Sequence, residues 1–311
     1  MKKIQNTIVI GVDHGYGNIK TANRIFQSGV VKLKEGQEFA QMPLIYKNER
    51  YLVGHGHKAF VADKFIDEDY YVLTLAAIAE ELSLQGITTA DVHIAAGLPL
   101  TWLGSQGKKF KEYLLQNDTV DFIYKDKSYH INIVEVDIFP QGFSAIASRL
   151  FMFKGTNMLC DIGNGTMNIM YIIDQKPDVK NCFTEKFGTN QCAIRINERI
   201  MQTFHTQIHE NTITNVLRFG TADVADKYLE VMQDEAKEYT NEIFERLKNH
   251  EYDPETMKLH IVGGGGCLVK NFGEYDKSRV FINDDIHATA KGYEYLAELN
   301  MRKGAVELDE Y

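Results

Sequence analysis

Several features that would assign this 311-residue chain to a special class are scarce or missing. Its 4 cysteines (Cys160, Cys182, Cys192, Cys267) lie far apart, with no CxxC spacing and no histidine beside them, which argues against a zinc site or a disulfide framework and suits a reducing cytoplasm. Positive charge is short. At a formal net charge of −9 the chain lacks the clustered Lys and Arg that displace counterions from a phosphate backbone, so direct nucleic-acid binding is not expected. Long apolar runs are absent too: the stretch after "MKK" breaks at Asp13, too short for a signal-peptide core or a membrane span. His55 and His57 have no third ligand nearby in sequence, and Ser144 has no His-Asp partners for a hydrolase triad. The acidic end "ELDEY" reads as a solvated tail.

What is present is an ordinary globular composition, 44% hydrophobic and 25% charged with only 5 prolines, enough for a large core and about two domains. Residues 7–54 carry short β-branched segments broken by Gly, Asn and charge, the pattern of strands and hairpins. In "DEDYYVLTLAAIAEELSLQG", Leu75, Ile78, Ala79 and Leu82 fall at helical spacing before Gly86, expected as the residue after the helix end. A strand "VHIAAGLPL", a short helix near Gln106 to Leu115, two more strands ("TVDFIYK", "SYHINIVEVDIF") and a helix beginning around Pro140 complete a strand-rich first half. Helices dominate from Gln191 to His250; the longest, about Ala222 to Lys248, points Tyr228, Leu229, Met232, Ile243 and Leu247 inward. A last strand "KLHIV" runs into four glycines, Gly263, Gly264, Gly265 and Gly266, with a helix opening near Leu268.

One motif occurs twice. "VIGVDHGYGNIK" and "MLCDIGNGTMNIMYII" share an apolar strand, Asp, one residue, Gly, one residue, Gly, then Asn-Ile leading into a second strand. Asp13, Gly15 and Gly17 answer to Asp161, Gly163 and Gly165, an interval of 148 residues, the difference between positions 13 and 161. That interval is too long for a solenoid and fits duplication of one α/β domain. An Asp-x-Gly-x-Gly turn leaves successive backbone N–H groups able to converge on phosphate oxygens, because glycine tolerates positive φ. An aspartate facing phosphate implies a divalent cation between the two, held through water when it is Mg²⁺. Lys20 supplies positive charge to the β- and γ-phosphates, and the run Gly263 to Gly266 makes a wall against which an adenosine could lie. Gln141 in "IFPQGFSAI" follows a proline expected in the first turn of a helix. Its amide would align water for in-line attack, as a glutamine does in GTPases.

In this order, the elements resemble the actin superfamily, which includes the heat-shock chaperone ATPases, sugar kinases and bacterial actin-like filament proteins. "VIGVDHGYGNIK" resembles the first phosphate motif, "IFPQGFSAI" the first connecting helix, "MLCDIGNGTMNIMYI" the second phosphate motif, "IVGGGGCLV" the adenosine motif and "FINDDIHATAKGYEYLA" the second connecting helix. "HIAAGLPLTWL" and "DYYVLTLAAIAEEL" look most like the ParM/StbA group of plasmid-segregation actins. Two positions depart: many ParM proteins carry Glu where Gln141 stands, and Asn164 replaces the second Asp of actin's phosphate motif.

The resemblance implies an α/β actin-like fold, with two duplicated ribonuclease H-like domains flanking a nucleotide cleft. Its expected domains are 1–152, with a C-terminal helix 286–311 packing back on it, and 153–285. It implies a cytoplasmic ATPase with ATP and Mg²⁺ as cofactors. The catalytic residues are expected to be Gln141 and Asp161, the metal carboxylates Asp13 and Asp161, and the nucleotide contacts Asp13, Gly15, Tyr16, Gly17, Asn18, Lys20, Gly163, Asn164, Gly165, Thr166 and Gly263 to Gly266. The implied partners are further copies of the chain in a filament and a DNA-binding adaptor on a plasmid centromere. A small-molecule kinase of the same fold is the alternative, and would need a carboxylate base beside an acceptor hydroxyl. A chaperone-type ATPase would need a peptide-binding domain after residue 303.

Overall fold

The computed structural model describes residues 1–34, 42–56, 65 and 67–309, with side chains described to residue 303. His57 and the side chains of the acidic end Glu307 to Tyr311 therefore lie outside the described residues. The chain divides into two units, residues Met1–Ser148 with His287–Tyr311, and residues Arg149–Ile286.

In the first unit β1 (Lys2–Ile4) pairs with β2 (Thr7–His14), whose interior is buried almost end to end. A tight turn leads to β3 (Asn18–Lys20), followed by β4 (Ile25–Gln27), β5 (Val30–Lys32), β6 (Leu44–Tyr46) and β7 (Glu49–Val53). Helix α1 (Asp69–Ser83) packs on β2, β3, β6 and β7. The helical spacing of Leu75, Ile78, Ala79 and Leu82 marks one face of this helix, yet Tyr70 to Ala79 are buried without interruption. An α-helix with no solvent face belongs inside a core, and each fully buried Leu or Ile there contributes about 1.5–3 kcal/mol. The helix ends at Ser83 with Leu84 as its cap, so Gly86, at φ +68°, stands one residue beyond its expected place. Next come β8 (Thr89–Leu98), α2 (Leu100–Leu114), β9 (Thr119–Tyr124) and β10 (Lys127–Pro140). Helix α2 starts six residues before the expected Gln106, directly after Pro99, whose fixed φ suits a helix start. The sheet order is β4-β3-β2-β8-β10-β9-β6-β7-β5, with β2, β8 and β10 mutually parallel.

The expected helix around Pro140 is corrected by the structure. Pro140 is the last residue of β10 and pairs with Leu98; the Gln141 N–H then donates to the Leu98 carbonyl at 2.8 Å, carrying the strand ladder one residue further. Gly142, at φ +72°, reverses the chain, and a 3-10 helix begins only at Phe143 (Phe143–Met152). Proline at a strand end costs no ladder donor that the neighbouring Gln141 does not supply.

The second unit repeats the core plan. Strands β11 (Thr156–Ile162), β12 (Met167–Ile173) and β13 (Lys176–Glu185) form a meander. Helices α3 (Thr189–Phe204), α4 (Glu210–Phe219) and α5 (Asp226–Asn249) follow, then β14 (Lys258–Val262), α6 (Gly265–Phe272) and β15 (Val280–Ile282). The order β13-β12-β11-β14-β15 has two antiparallel pairings followed by two parallel ones, the same sequence of pairings as β4-β3-β2-β8-β10. Met232, Ile243 and Leu247 of α5 are buried as the spacing suggests, together with Ala236, Tyr239 and Thr240, while Tyr228 and Leu229 are partly buried. The last helix, α7 (Ala288–Asp309), packs on β2 and β8 of the first unit. Its buried Glu294 accepts from the Gly11 N–H of β2 at 3.1 Å, and His287 Nδ1 bonds the Thr21 carbonyl just after β3 at 2.8 Å.

Candidate functional site

Parallel α/β sheets present their loops at the carboxyl ends of the strands, where ligands bind outside the sheet. In the first unit those ends carry Asp13 on β2, the Leu98–Pro99 turn on β8 and Gln141 after β10. In the second they carry Asp161 on β11 and Gly263–Gly264 after β14, on adjacent parallel strands with Asp161 paired to Val262.

The two Asp-x-Gly-x-Gly turns match residue for residue. Asp13 pairs with Lys20 and His14 with Ile19; Asp161 pairs with Asn168 and Ile162 with Met167, each 148 positions on. The backbone orientation of each turn is fixed from behind. In the first, Ser28 donates its N–H to the Gly17 carbonyl at 3.2 Å and its hydroxyl to the Tyr16 carbonyl. In the second, the Thr189 and Asn190 N–H groups at the start of α3 donate to the Gly163 and Asn164 carbonyls at 3.0 and 2.9 Å. A trans peptide points its C=O and N–H in opposite directions, and no peptide here is cis. Anchoring the carbonyls therefore aims the N–H groups of Gly17 and Asn18, and of Asn164 and Gly165, away from the anchors. That is the polarity an anion nest requires.

The charges differ. Asp13 is 7% exposed; its Oδ1 accepts from Gln141 Nε2 at 3.1 Å and its Oδ2 lies 3.6 Å from Lys20 Nζ. Gln141, Asp13 and Lys20 thus form one contact group although Gln141 lies 128 residues from Asp13 in sequence. In the second unit the place of Lys20 is taken by Asn168, whose Oδ1 accepts from the Thr184 hydroxyl at 2.9 Å. Asp161 is half-buried, and Gly263, at φ +84°, lies so near it that an added Cβ would stand 2.5 Å from Oδ1. Only glycine satisfies both that φ and that approach. Gly265 and Gly266 form the first turn of α6, which begins three residues before the expected Leu268. Gly15, Tyr16 and Thr166 lie in the turns themselves and Asn18 opens β3, with burial raising the Tyr16 phenol well above its usual range.

His14 is buried and turned away from its turn. The Thr74 hydroxyl donates to the Tyr70 carbonyl at 2.6 Å, so at 2.7 Å it accepts from His14 Nε2–H, while the ring sits edge-on to Tyr70 and Phe110. Its side chain is core. Ser144 donates to the Pro140 carbonyl at 2.7 Å, and His55 is exposed. The cysteines are free.

Among the described residues no group of three or more His, Cys, Asp or Glu side chains could hold a metal alone. A single carboxylate, as each turn carries, suits Mg²⁺, which keeps most of its waters and takes its remaining ligands from substrate phosphate. Among the described residues no helix is long and apolar enough to cross a membrane.

Residues 11–143 match the family model of the N-terminal domain of actin-like proteins. No curated protein matches the sequence. Solved structures similar over almost their whole length include the actin-like protein Alp7A (15% identity, 98% of this chain and 99% of that one, TM-score 0.79). Ta0583, an archaeal actin homolog in complex with ADP, is 21% identical over 94% of this chain and 99% of its own, with TM-score 0.76. Bacillus thuringiensis ParM with ATP is 14% identical over 96% of this chain and 100% of its own, with TM-score 0.71. The chain has the two-domain actin-like fold.

Proposed function

For a chain with the actin-like fold, we propose ATP hydrolysis coupled to filament assembly, with the filament serving plasmid DNA segregation through a DNA-binding adaptor. The observation that carries this reading is the pair of register-matched Asp-x-Gly-x-Gly turns, each with two backbone carbonyls held by hydrogen bonds from outside the turn. Support also comes from structural neighbours solved with ATP and with ADP, and from a filament of Alp12 that shares the fold (14% identity, TM-score 0.68). The net charge of −9 favours an adaptor over direct DNA contact.

In this reading the amides of both turns hold the phosphates of one ATP, and Lys20 neutralises charge on them. Asp13 and Asp161 would hold Mg²⁺ through water; when bound, the ion neutralises charge on the phosphate oxygens. Gln141, already beside Asp13, presents an amide too weakly basic to take a proton. Its oxygen accepts a hydrogen bond from the attacking water and aligns it for in-line displacement. The glycines from Gly263 to Gly266 let the backbone lie against the adenosine. A filament buries a head-to-tail surface that does not close, so assembly shows a critical concentration.

The test is sedimentation with Mg²⁺ and a non-hydrolysable ATP analogue, alongside phosphate release with Mg-ATP and no acceptor. Pelleting above a critical concentration and release that accelerates with assembly are expected. A protein that stays in the supernatant into the micromolar range, and turns over only when a co-substrate is added, is not a filament ATPase.

A further inference from the structure

The anchor of the second turn is itself held by a residue outside every motif. Gly188, which caps α3, lies so close to the turn that an added Cβ would stand 2.3 Å from the Asn164 carbonyl oxygen and 2.7 Å from that of Gly163. Its own N–H donates to Gln191 Oε1 at 2.8 Å, and its carbonyl accepts from the hydroxyl of Tyr239 on α5 at 2.8 Å. The next two N–H groups, of Thr189 and Asn190, are the ones that hold the turn carbonyls. Tyr239 therefore stands one peptide behind the anchor.

Its ring is immobilised. Tyr239 is fully buried, stacked on Phe187 with centroids 4.2 Å apart and planes at 9°, and the Arg195 guanidinium lies 5.1 Å from its centroid. Arg195 is in turn held by both oxygens of Glu242, and Arg246 covers the Phe187 ring at 3.9 Å. A ring fixed on so many sides gives its hydroxyl one position. As the N-cap residue Gly188 also accepts the first intrahelical bond of α3, so its carbonyl would lose one of two donors and the helix start would loosen.

We infer that Tyr239 is a positioning residue for the second phosphate turn, fixing through Gly188 the backbone that aims the Asn164 and Gly165 amides. This rests on the reading of that turn as a phosphate cradle. No substrate contact is assigned to Tyr239; it acts through the start of α3.

Tyr239→Phe removes one oxygen and keeps the stack. The control is Tyr171→Phe, which deletes another tyrosine hydroxyl of the same unit, bonded to the His250 carbonyl at 2.6 Å. Amide hydrogen exchange of the nucleotide-free protein should speed up at Gly163, Thr189 and Asn190, the hydrogen-bonded amides of the turn and its anchor, in Tyr239→Phe by about three- to tenfold, the worth of one hydrogen bond, with β14 unchanged. Phosphate release should fall by a similar factor in kcat. Tyr171→Phe should do neither. Unchanged exchange at Gly163, Thr189 and Asn190 in Tyr239→Phe, or an equal change in Tyr171→Phe, overturns the inference. The exchange measurement needs no ATP, so it decides on Tyr239 even if the wild type proves unable to bind nucleotide.

Discussion

Two turns with the same spacing and the same strand register are held in different ways. The first is fastened by one residue, Ser28, using a side-chain hydroxyl and one N–H; the second is fastened by two helix-terminal N–H groups backed by Gly188 and Tyr239. Their electrostatics differ as well, since Asp13 has Lys20 and Gln141 beside it, whereas the position matching Lys20 is the neutral Asn168. The repeated part is a five-strand sheet plan with its strand-turn-strand hairpin. What surrounds each copy has diverged, so the two turns should respond unequally to matched substitutions.

The largest inequality is expected at the anchors. Gly188→Ala would force a Cβ against two backbone carbonyls that cannot move without opening the turn, at a cost of about 3 kcal/mol in urea unfolding. A loss below about 1 kcal/mol would mean that the second turn is not held through Gly188. Next comes charge. Lys20→Ala should weaken Mg-ATP binding by about ten- to hundredfold, the range for a lost charge-assisted contact. Asn168→Ala at the matching position should change it by less than about threefold. Equal effects, measured by titration calorimetry, would remove the electrostatic distinction.

A smaller effect separates the units by pH. In the second unit His260 lies between the rings of Phe153 and Phe281, and burial, then the nearby Arg149 and Lys258, push it down from 6.5 to about 4. A depressed pKa means stability that is full above the unfolded value of 6.5 and is lost as pH falls toward about 4. In the first unit Glu81 and Asp137 are also lowered, Glu81 by its bonds to Thr21 and Asn23 and Asp137 by His93, both against the opposing effect of burial. As carboxylates they release stability only in stronger acid. Exchange protection of β14 should therefore weaken between about pH 6.5 and pH 5 while that of β8 holds, and His260→Gln should flatten the difference. The smallest effect belongs to Ser28→Ala, which keeps the N–H anchor and loses only the hydroxyl, for about 1 kcal/mol in urea unfolding. A loss as large as that of Gly188→Ala would erase the contrast between the anchors.

The fold class and the strand hairpins were legible because buried strands ending at Asp-x-Gly-x-Gly carry their own punctuation, and a repeat at 148 residues declares a duplication. The contact group around Asp13 was legible as a list of residues but not as a geometry. Gln141 was expected on a helix start, and it reaches Asp13 because Pro140 ends a strand parallel to β8 and Gly142 turns the chain. Only strand order, a non-local property, places those two side chains together. The anchors were not legible at all. Ser28 and Tyr239 have no neighbouring pattern, and Gly188 looks like any loop glycine until the turn carbonyls 2.3 and 2.7 Å from its added Cβ are seen. The one available signal was the spacing of Phe187, Gly188 and Thr189 directly before a helical stretch, where a glycine cap would fall. The helical spacing of Leu75, Ile78, Ala79 and Leu82 marks one face of α1, whereas Tyr70 to Ala79 are all apolar or packed and all buried, which only the surrounding strands can impose.

The proposed function assigns a single nucleotide to the two matched turns. Calorimetric titration of Mg-ATP into wild type, Asp13→Ala and Asp161→Ala tests it most directly. One ATP per chain is expected in the wild type, with affinity sharply reduced by either substitution alone. Two sites per chain, or a site that survives Asp13→Ala and Asp161→Ala unchanged, would contradict it.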